Sequence, residues 1–323
     1  MPMDKAIRDF PKQFEWVPEV QNSNKLGRYN KFIICGMGGS HLAGGIIKAV
    51  KPETDITIHS DYDLPKWPKE RFDGALVIAS SYSGNTEETI SAFEAAIKAG
   101  IPAAAISIGG KLLDLALDNH APFVQMPNTG IEPRSALGFS LRSMLALMLD
   151  ERSLRDTVEL SKALNIDKYE IDGKEFAVEL KNKTPVIYAS TKNLPIAYNW
   201  KIKFNETGKV PAFYNVFPEL NHNEMVSFDV SETTRLLTEN LHFIIIRDPA
   251  DHPRILKRME VMRKLFHDRG LAVSVLLLEE GELYYKVFSS LVLADWTAYY
   301  TSLGYGMDPQ EVALIEEFKK MIA

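Results

Sequence analysis

Between Ser80 and Thr86 the chain reads Ser-Ser-Tyr-Ser-Gly-Asn-Thr, a density of short hydroxyls that suits an anion. Ser and Thr hydroxyls donate to phosphate oxygens, and Gly84 lets the backbone approach a ligand or take positive φ. No lysine stands in the turn, so it is not a nucleotide P-loop, which requires Gly-Lys-Ser/Thr after its glycines. The chemistry it fits is a seat for one phosphate monoester; taken alone, Ser-Gly-Asn-Thr also fits a turn that only caps a helix. Three further residues have reactive side chains in suggestive places: Arg134 in Glu132-Pro133-Arg134, Glu206 in Asn205-Glu206, and His222 in Asn221-His222-Asn223-Glu224. Arginine stabilises developing negative charge, and a carboxylate and an imidazole serve as general base and acid. Each by itself reads equally well as a solvated surface residue. One histidine without partners at ligand spacing does not make a metal site.

The elements around the hydroxyl turn give it a position. Ala75–Ala79 is a short continuous apolar run, as expected of a buried parallel strand. Glu87–Gly100 reads as a helix, with Ile90, Phe93, Ala96 and Ile97 on one face, Glu87 and Glu88 in the first turn and Gly100 as the stop. The turn therefore lies at a strand's C-terminal end and a helix's N-terminus, where unsatisfied N–H groups and the helix dipole favour an anion. A second unit of the same build precedes it. The strand Lys31–Cys35 runs into Gly36-Met37-Gly38-Gly39-Ser40 and then an apolar helix to about Val50. That glycine spacing departs from the dinucleotide fingerprint Gly-x-Gly-x-x-Gly, which leaves a glycine-lined approach to a sugar or tight helix–sheet packing.

Further strands are expected at Ile56–His59 and Ala103–Ile108, and a Leu- and Met-rich helix at Leu137–Leu149 with Arg134 just ahead of it. Glu151 to about Asn182 is polar and helical in pattern. Strands return at Pro185–Ser190, Leu241–Ile246 and Ala272–Leu278, with an amphipathic basic helix over Pro253–Asp268. Strands alternating with helices predict βαβ units and parallel sheets, and the second half repeats the plan of the first. The division is expected near residues 150 to 155, giving an N-terminal domain of 1–152 and a C-terminal domain of 153–323. Ile196, Trp200 and Phe204 share a helical face that carries the chain to Glu206. Gly208 ends that helix, and Pro211 and Pro218 bracket a stretch that reads as irregular. Glu206 and His222 thus sit at loop edges, where catalytic groups are commonly mounted.

Composition narrows the function. With 323 residues the chain has room for two domains. A net charge of −6 and the lack of a basic run argue against a nucleic-acid surface. The lone cysteine, Cys35, rules out an intramolecular disulfide and reads as a small buried hydrophobe in a reducing, cytoplasmic setting. Met1–Val20 has no apolar signal core, and no run approaches the ~20 apolar residues that span a bilayer.

Together, Gly36-Met-Gly-Gly-Ser40, Ser60-Asp-Tyr-Asp-Leu-Pro65, Ser81-Tyr-Ser-Gly-Asn-Thr86, Glu132-Pro-Arg134, Asn205-Glu206 and Asn221-His-Asn-Glu224 resemble, in order, the motifs of the bifunctional phosphoglucose/phosphomannose isomerases. These are proteins of two tandem sugar-isomerase (SIS) domains, each α/β with a flavodoxin-like, doubly wound parallel sheet. The resemblance covers nearly the whole chain. It implies a metal-free aldose–ketose isomerase that uses no cofactor and interconverts glucose 6-phosphate and mannose 6-phosphate with fructose 6-phosphate through a cis-enediolate. Ser81, Ser83 and Thr86, with Gly39 and Ser40, would hold the phosphorylated sugar. Glu206 would move the proton between C2 and C1, and Arg134 would stabilise the enediolate oxygens. His222 would protonate the ring oxygen, supplied across a homodimer interface. The C-terminal helix opened by Asp308-Pro309-Gln310 would bring Gln310 near the sugar and contribute a ring-opening lysine, Lys319 or Lys320.

The chemistry is coherent without the family, because isomerisation needs a base, donors for the enediolate and a ring-opening acid. A sugar-phosphate-sensing module is the alternative. It needs the phosphate turn but has no use for Glu206 and His222, and the short stretch Met1–Tyr29 leaves little room for a fused DNA-binding helix pair. Amide transfer to fructose 6-phosphate requires an N-terminal cysteine, which Met1-Pro2 does not supply.

Overall fold

Short apolar runs separated by helix-forming stretches fold here into two predominantly parallel sheets. A computed structural model of the chain describes Met1–Ile322. Its contacts divide the chain into two units, one of Met1 with Arg8–Leu164 and the other of Pro2–Ile7 with the chain from Asn165 onward.

The first unit is built on six strands: β1 (Val20–Gln21), β2 (Lys31–Cys35), β3 (Asp55–His59), β4 (Ala75–Ser80), β5 (Ala103–Ser107) and β6 (Phe123–Gln125). They lie in the order β1-β6-β5-β4-β2-β3, with β1 antiparallel at one edge and the rest parallel. The parallel part has the flavodoxin order, whose switch point lies between its first and third strands, here β2 and β4. Every residue of β4 and β5 is buried, as a sheet covered by helices on both faces requires. Ile33, Val77, Ala105 and Phe93, the last from the helix Glu87–Ala99, share one core.

The second unit repeats this plan with β7 (Thr184–Ser190), β8 (Phe213–Phe217), β9 (Leu241–Arg247) and β10 (Ala272–Leu277), all parallel in the order β10-β9-β7-β8. One expectation is corrected here. The stretch between Pro211 and Pro218 is not irregular throughout, because Phe213–Phe217 pairs with β7 in the register Val186↔Phe213 to Ser190↔Phe217. It is an edge strand with Phe213 and Tyr214 exposed, so it lacks the buried apolar run that marks the central strands. The helix Leu194–Glu206 forms as expected and ends at Glu206. Trp200 anchors it, fully buried, with Nε1 donating to Ser290 Oγ at 2.9 Å on the long helix Leu283–Gly304. On the next turn Lys203, also buried, pairs with Asp295 of that helix at 2.5 Å.

The division between units falls at Leu164/Asn165, later than the expected 152/153. The reason is a buried arginine. Arg142 Nη1 donates to Leu154 O and Thr157 Oγ1, both at 2.9 Å, and its Nε to Trp16 O at 2.5 Å, which fastens the helix Glu151–Val158 to the first unit. Among the described residues, no helix is long and apolar enough to cross a membrane.

Candidate active site

The hydroxyl turn follows β4 directly, at the switch point of the first sheet. Thr86 occupies the N-cap position of the helix Glu87–Ala99, yet its side chain makes no bond into the helix. Its Oγ1 lies instead 2.8 Å from Ser81 Oγ, which also accepts from Gly84 N at 3.1 Å. The helix's first N–H groups therefore keep their capacity for a ligand. Ser83 is exposed, and its Oγ accepts from Asn85 N at 3.2 Å. Ser40 stands behind the turn, buried, its Oγ accepting from Tyr82 N at 3.1 Å, while its carbonyl accepts from Ser80 Oγ at 2.8 Å. The structure thus brings Ser40, from the turn after β2, against the turn after β4 that carries Ser81, Ser83 and Thr86.

Glycine makes this turn possible. Gly84 has φ +73°, and a Cβ there would stand 1.8 Å from Gly109 O and 2.8 Å from Ser107 Oγ. The loop after β5 presses against it. Ser107 Oγ donates to Tyr82 O at 3.1 Å and to Gly109 O at 2.7 Å, Leu112 N donates to Gly84 O at 2.9 Å, and Lys111 N to Asn85 Oδ1 at 3.1 Å. Gly39 lies in close packing. A Cβ on it would lie 3.1 Å from both Cα and N of Arg134, so the glycine turn after β2 packs on the backbone of the short helix Pro133–Ser135. Arg134 is buried at 5% exposure, its Nη1 3.8 Å from Glu132 Oε2. A guanidinium buried beside the glycine turn after β2 suits electrostatic stabilisation of negative charge.

The second unit holds the other candidates. Glu206, half-buried, lines a cleft of about 740 Å³ with Asn205, Lys209, Pro211, Asp308 and Glu311. Gln310 lies beside this cleft, half-buried, its N–H donating to Asp308 Oδ1 at 2.8 Å. Lys319 does not line it: the helix Ala313–Ile322 carries it exposed, with Nζ 2.8 Å from Glu316 Oε1. His222 ends the short helix Glu219–His222 and faces solvent. The segment that carries it is anchored two residues on, where Glu224 accepts from both the Tyr188 hydroxyl and Asn215 Nδ2. Burial, reinforced by that bond to Glu224, pushes the Tyr188 phenol well above its ordinary range, so it remains a donor.

The sequence reading missed Ser107, Lys209, Tyr188 and Asn215, which act through contacts with residues distant in the chain. Ser107 alone had a local signal, a serine ending an all-apolar strand. His41, directly after Ser40, is buried, and desolvation lowers its pKa below the usual imidazole range; it adds no charge to the seat. Among the described residues, no three His, Cys, Asp or Glu side chains are grouped to hold a metal.

Two predominantly parallel sheets, the first in flavodoxin order with a hydroxyl-rich turn at its switch point, fit a tandem SIS-domain protein. Residues 170–322 match the family described as bacterial phospho-glucose isomerase C-terminal SIS domain. The chain is 34% identical to the bifunctional phosphoglucose/phosphomannose isomerase of Aquifex aeolicus, over 98% of this chain and 97% of that one. It is 36% identical to the protein of the same description from Thermoplasma volcanium, over 93% and 94% of the two chains. In fold it is similar to the tagatose-6-phosphate ketose/aldose isomerase of Escherichia coli, with TM-score 0.69 and 17% identity, covering 95% of this chain and 94% of that one. The chain belongs to the bifunctional phosphoglucose/phosphomannose isomerase family.

Proposed function

We propose that the protein interconverts glucose 6-phosphate and mannose 6-phosphate with fructose 6-phosphate by proton transfer through a cis-enediolate. The observation that carries this reading is Glu206, a carboxylate at a helix end lining a cleft, in a chain whose relatives are described by both isomerase activities. The phosphate is held by Ser81, Ser83 and Thr86 and by the N–H groups that Thr86 leaves uncapped, with Gly39 and Ser40 shaping the turns behind. Glu206 removes the C2 proton of the open-chain aldose and delivers it to C1, while Arg134 meets the enediolate oxygens. His222 donates to the ring oxygen to open the cyclic sugar, and Gln310 contacts the sugar. Lys319 or Lys320 assists ring opening from the C-terminal helix. The working unit is a homodimer, in which each chain provides His222 to the substrate on its partner. Support for a second copy comes from the C-terminal helix, which exposes Leu314, Phe318 and Met321 at helical spacing by 79%, 60% and 79%. The setting is the cytoplasm, consistent with a single buried thiol pushed up to about 12 by desolvation.

A coupled assay on glucose 6-phosphate and on mannose 6-phosphate, before and after exhaustive EDTA treatment, tests this function. Both sugars should turn over, and chelation should leave both rates unchanged. Binding of both sugars without turnover would identify a sensor instead. Activity lost to EDTA and restored by zinc would replace the proton-transfer scheme with metal-assisted chemistry.

A further inference from the structure

The C-terminal helix Ala313–Ile322 buries none of its residues, so its own side chains do not fix where it begins. Two features just before it do. Pro309 is buried, and the carbonyl of Glu311 accepts a hydrogen bond from Lys209 Nζ. The same ammonium donates to the carbonyl of Glu206 at 2.7 Å. One cation therefore joins the last residue of the helix that carries Glu206 to the strand of chain immediately after Gln310. Lys209 reaches this position in an unusual conformation, with φ +59° on a residue that has a Cβ. Such a backbone is disfavoured for a residue with a side chain and persists only where the surroundings impose it. They do so here: Gly208 N donates to Lys203 O at 3.0 Å, Val210 N to Phe204 O at 3.2 Å, and Asn205 Nδ2 to Val210 O at 3.0 Å. The turn after Glu206 is thereby locked, and its lysine is aimed back across the cleft mouth. Asp308, Glu311, Val312 and Leu314, from the joined segment, form the opposite wall.

We propose that Lys209 is a positioning residue, a latch that sets the C-terminal segment bearing Gln310 in register with Glu206. The proposal rests on the reading of Glu206 as the base for its catalytic consequence but not for its structural one, because the latch uses main-chain carbonyls. Hydrogen bonds from a charged donor bridge the two segments, and the helix that follows buries none of its residues, so their loss frees the second segment while the first, anchored by Trp200 and Lys203, stays in place.

The test combines amide hydrogen exchange with kinetics on the full-length protein. In Lys209→Met, exchange across residues 310–316 should speed by about tenfold or more, with exchange in the helix Leu194–Glu206 unchanged. The rate constant kcat for glucose 6-phosphate should fall by about tenfold or more, with KM within about threefold, because the phosphate seat is untouched. Lys209→Gly removes the backbone strain together with the ammonium and should match Lys209→Met, while Lys209→Arg, which keeps a cationic donor, should recover most of both losses. Glu206→Gln separates the two readings: it keeps the carbonyl, so exchange at 310–316 should stay at the wild-type rate whether or not Glu206 is the base. Wild-type exchange at 310–316 in Lys209→Met would overturn the latch. Recovery in Lys209→Gly would overturn it as well, because strain and not the ammonium would then be the cause. Faster exchange with unchanged kcat would overturn its role in registering Gln310 against Glu206.

Discussion

Glu206→Gln lowers kcat for the isomerisation of glucose 6-phosphate by at least about 10²-fold, and by up to about 10⁴-fold, the range of general-base catalysis. The amide fills the space of the carboxylate but cannot take a proton from C2. Nothing in the assigned role involves ground-state binding, so affinity for fructose 6-phosphate should persist to within about tenfold. The helix under it should be undisturbed, because Trp200 and the Lys203–Asp295 pair anchor that helix to the helix Leu283–Gly304. Single-turnover rates and equilibrium binding on the same preparation check both halves. Turnover near the wild-type value removes Glu206 as the base, whatever the relatives do.

Gly84→Ala has the largest expected effect in the first unit. The added methyl would sit 1.8 Å from Gly109 O, a backbone atom that cannot swing aside, at a φ of +73° that disfavours any side chain. The turn must open, and with it the bonds from Gly84 N to Ser81 Oγ and from Leu112 N to Gly84 O. Strain and lost hydrogen bonds together predict a stability loss of about 3 kcal/mol or more, read from urea unfolding. KM for fructose 6-phosphate should rise at least about tenfold, because Ser81 and Thr86 lose their mutual geometry. Gly109→Ala is the matched control. A Cβ there meets nothing within 4 Å, and stability and KM should stay close to wild type. Equal behaviour of the two variants would show that the turn is not braced as described.

The hydroxyl turn after β4 was legible because its whole logic is contiguous: the buried run Ala75–Ala79, the hydroxyls, and the helix start at Glu87 follow one another without a gap. The helix ending at Glu206 was legible for a similar reason, from Ile196, Trp200 and Phe204 on one face and Gly208 after them. The strand Phe213–Phe217 was not, because an edge strand between two prolines shows its outward Phe213 and Tyr214 and no apolar alternation. The division at Leu164 depended on Arg142 reaching across to Trp16, Leu154 and Thr157, and a lone arginine in a Leu- and Met-rich helix gives no hint of those partners. Lys209 and Tyr188 escaped for the same physical reason. Their partners, Glu311 and Glu224, are brought near by sheet register and by the return of the C-terminal segment. Motif spacing shows contiguous signals more readily than contacts between groups distant in the chain.

In the proposed reaction Glu206 moves a proton between C2 and C1 of a phosphorylated sugar. The direct measurement is hydrogen exchange with solvent: EDTA-treated protein is incubated with glucose 6-phosphate in deuterated water and the sugars are followed by NMR. Deuterium should enter C2 of the recovered glucose 6-phosphate and C1 of fructose 6-phosphate, continue to accumulate over repeated turnovers, and fail to enter either position with Glu206→Gln. Interconversion that proceeds to equilibrium with no solvent label at C1 or C2, as a direct hydride shift requires, would contradict the account.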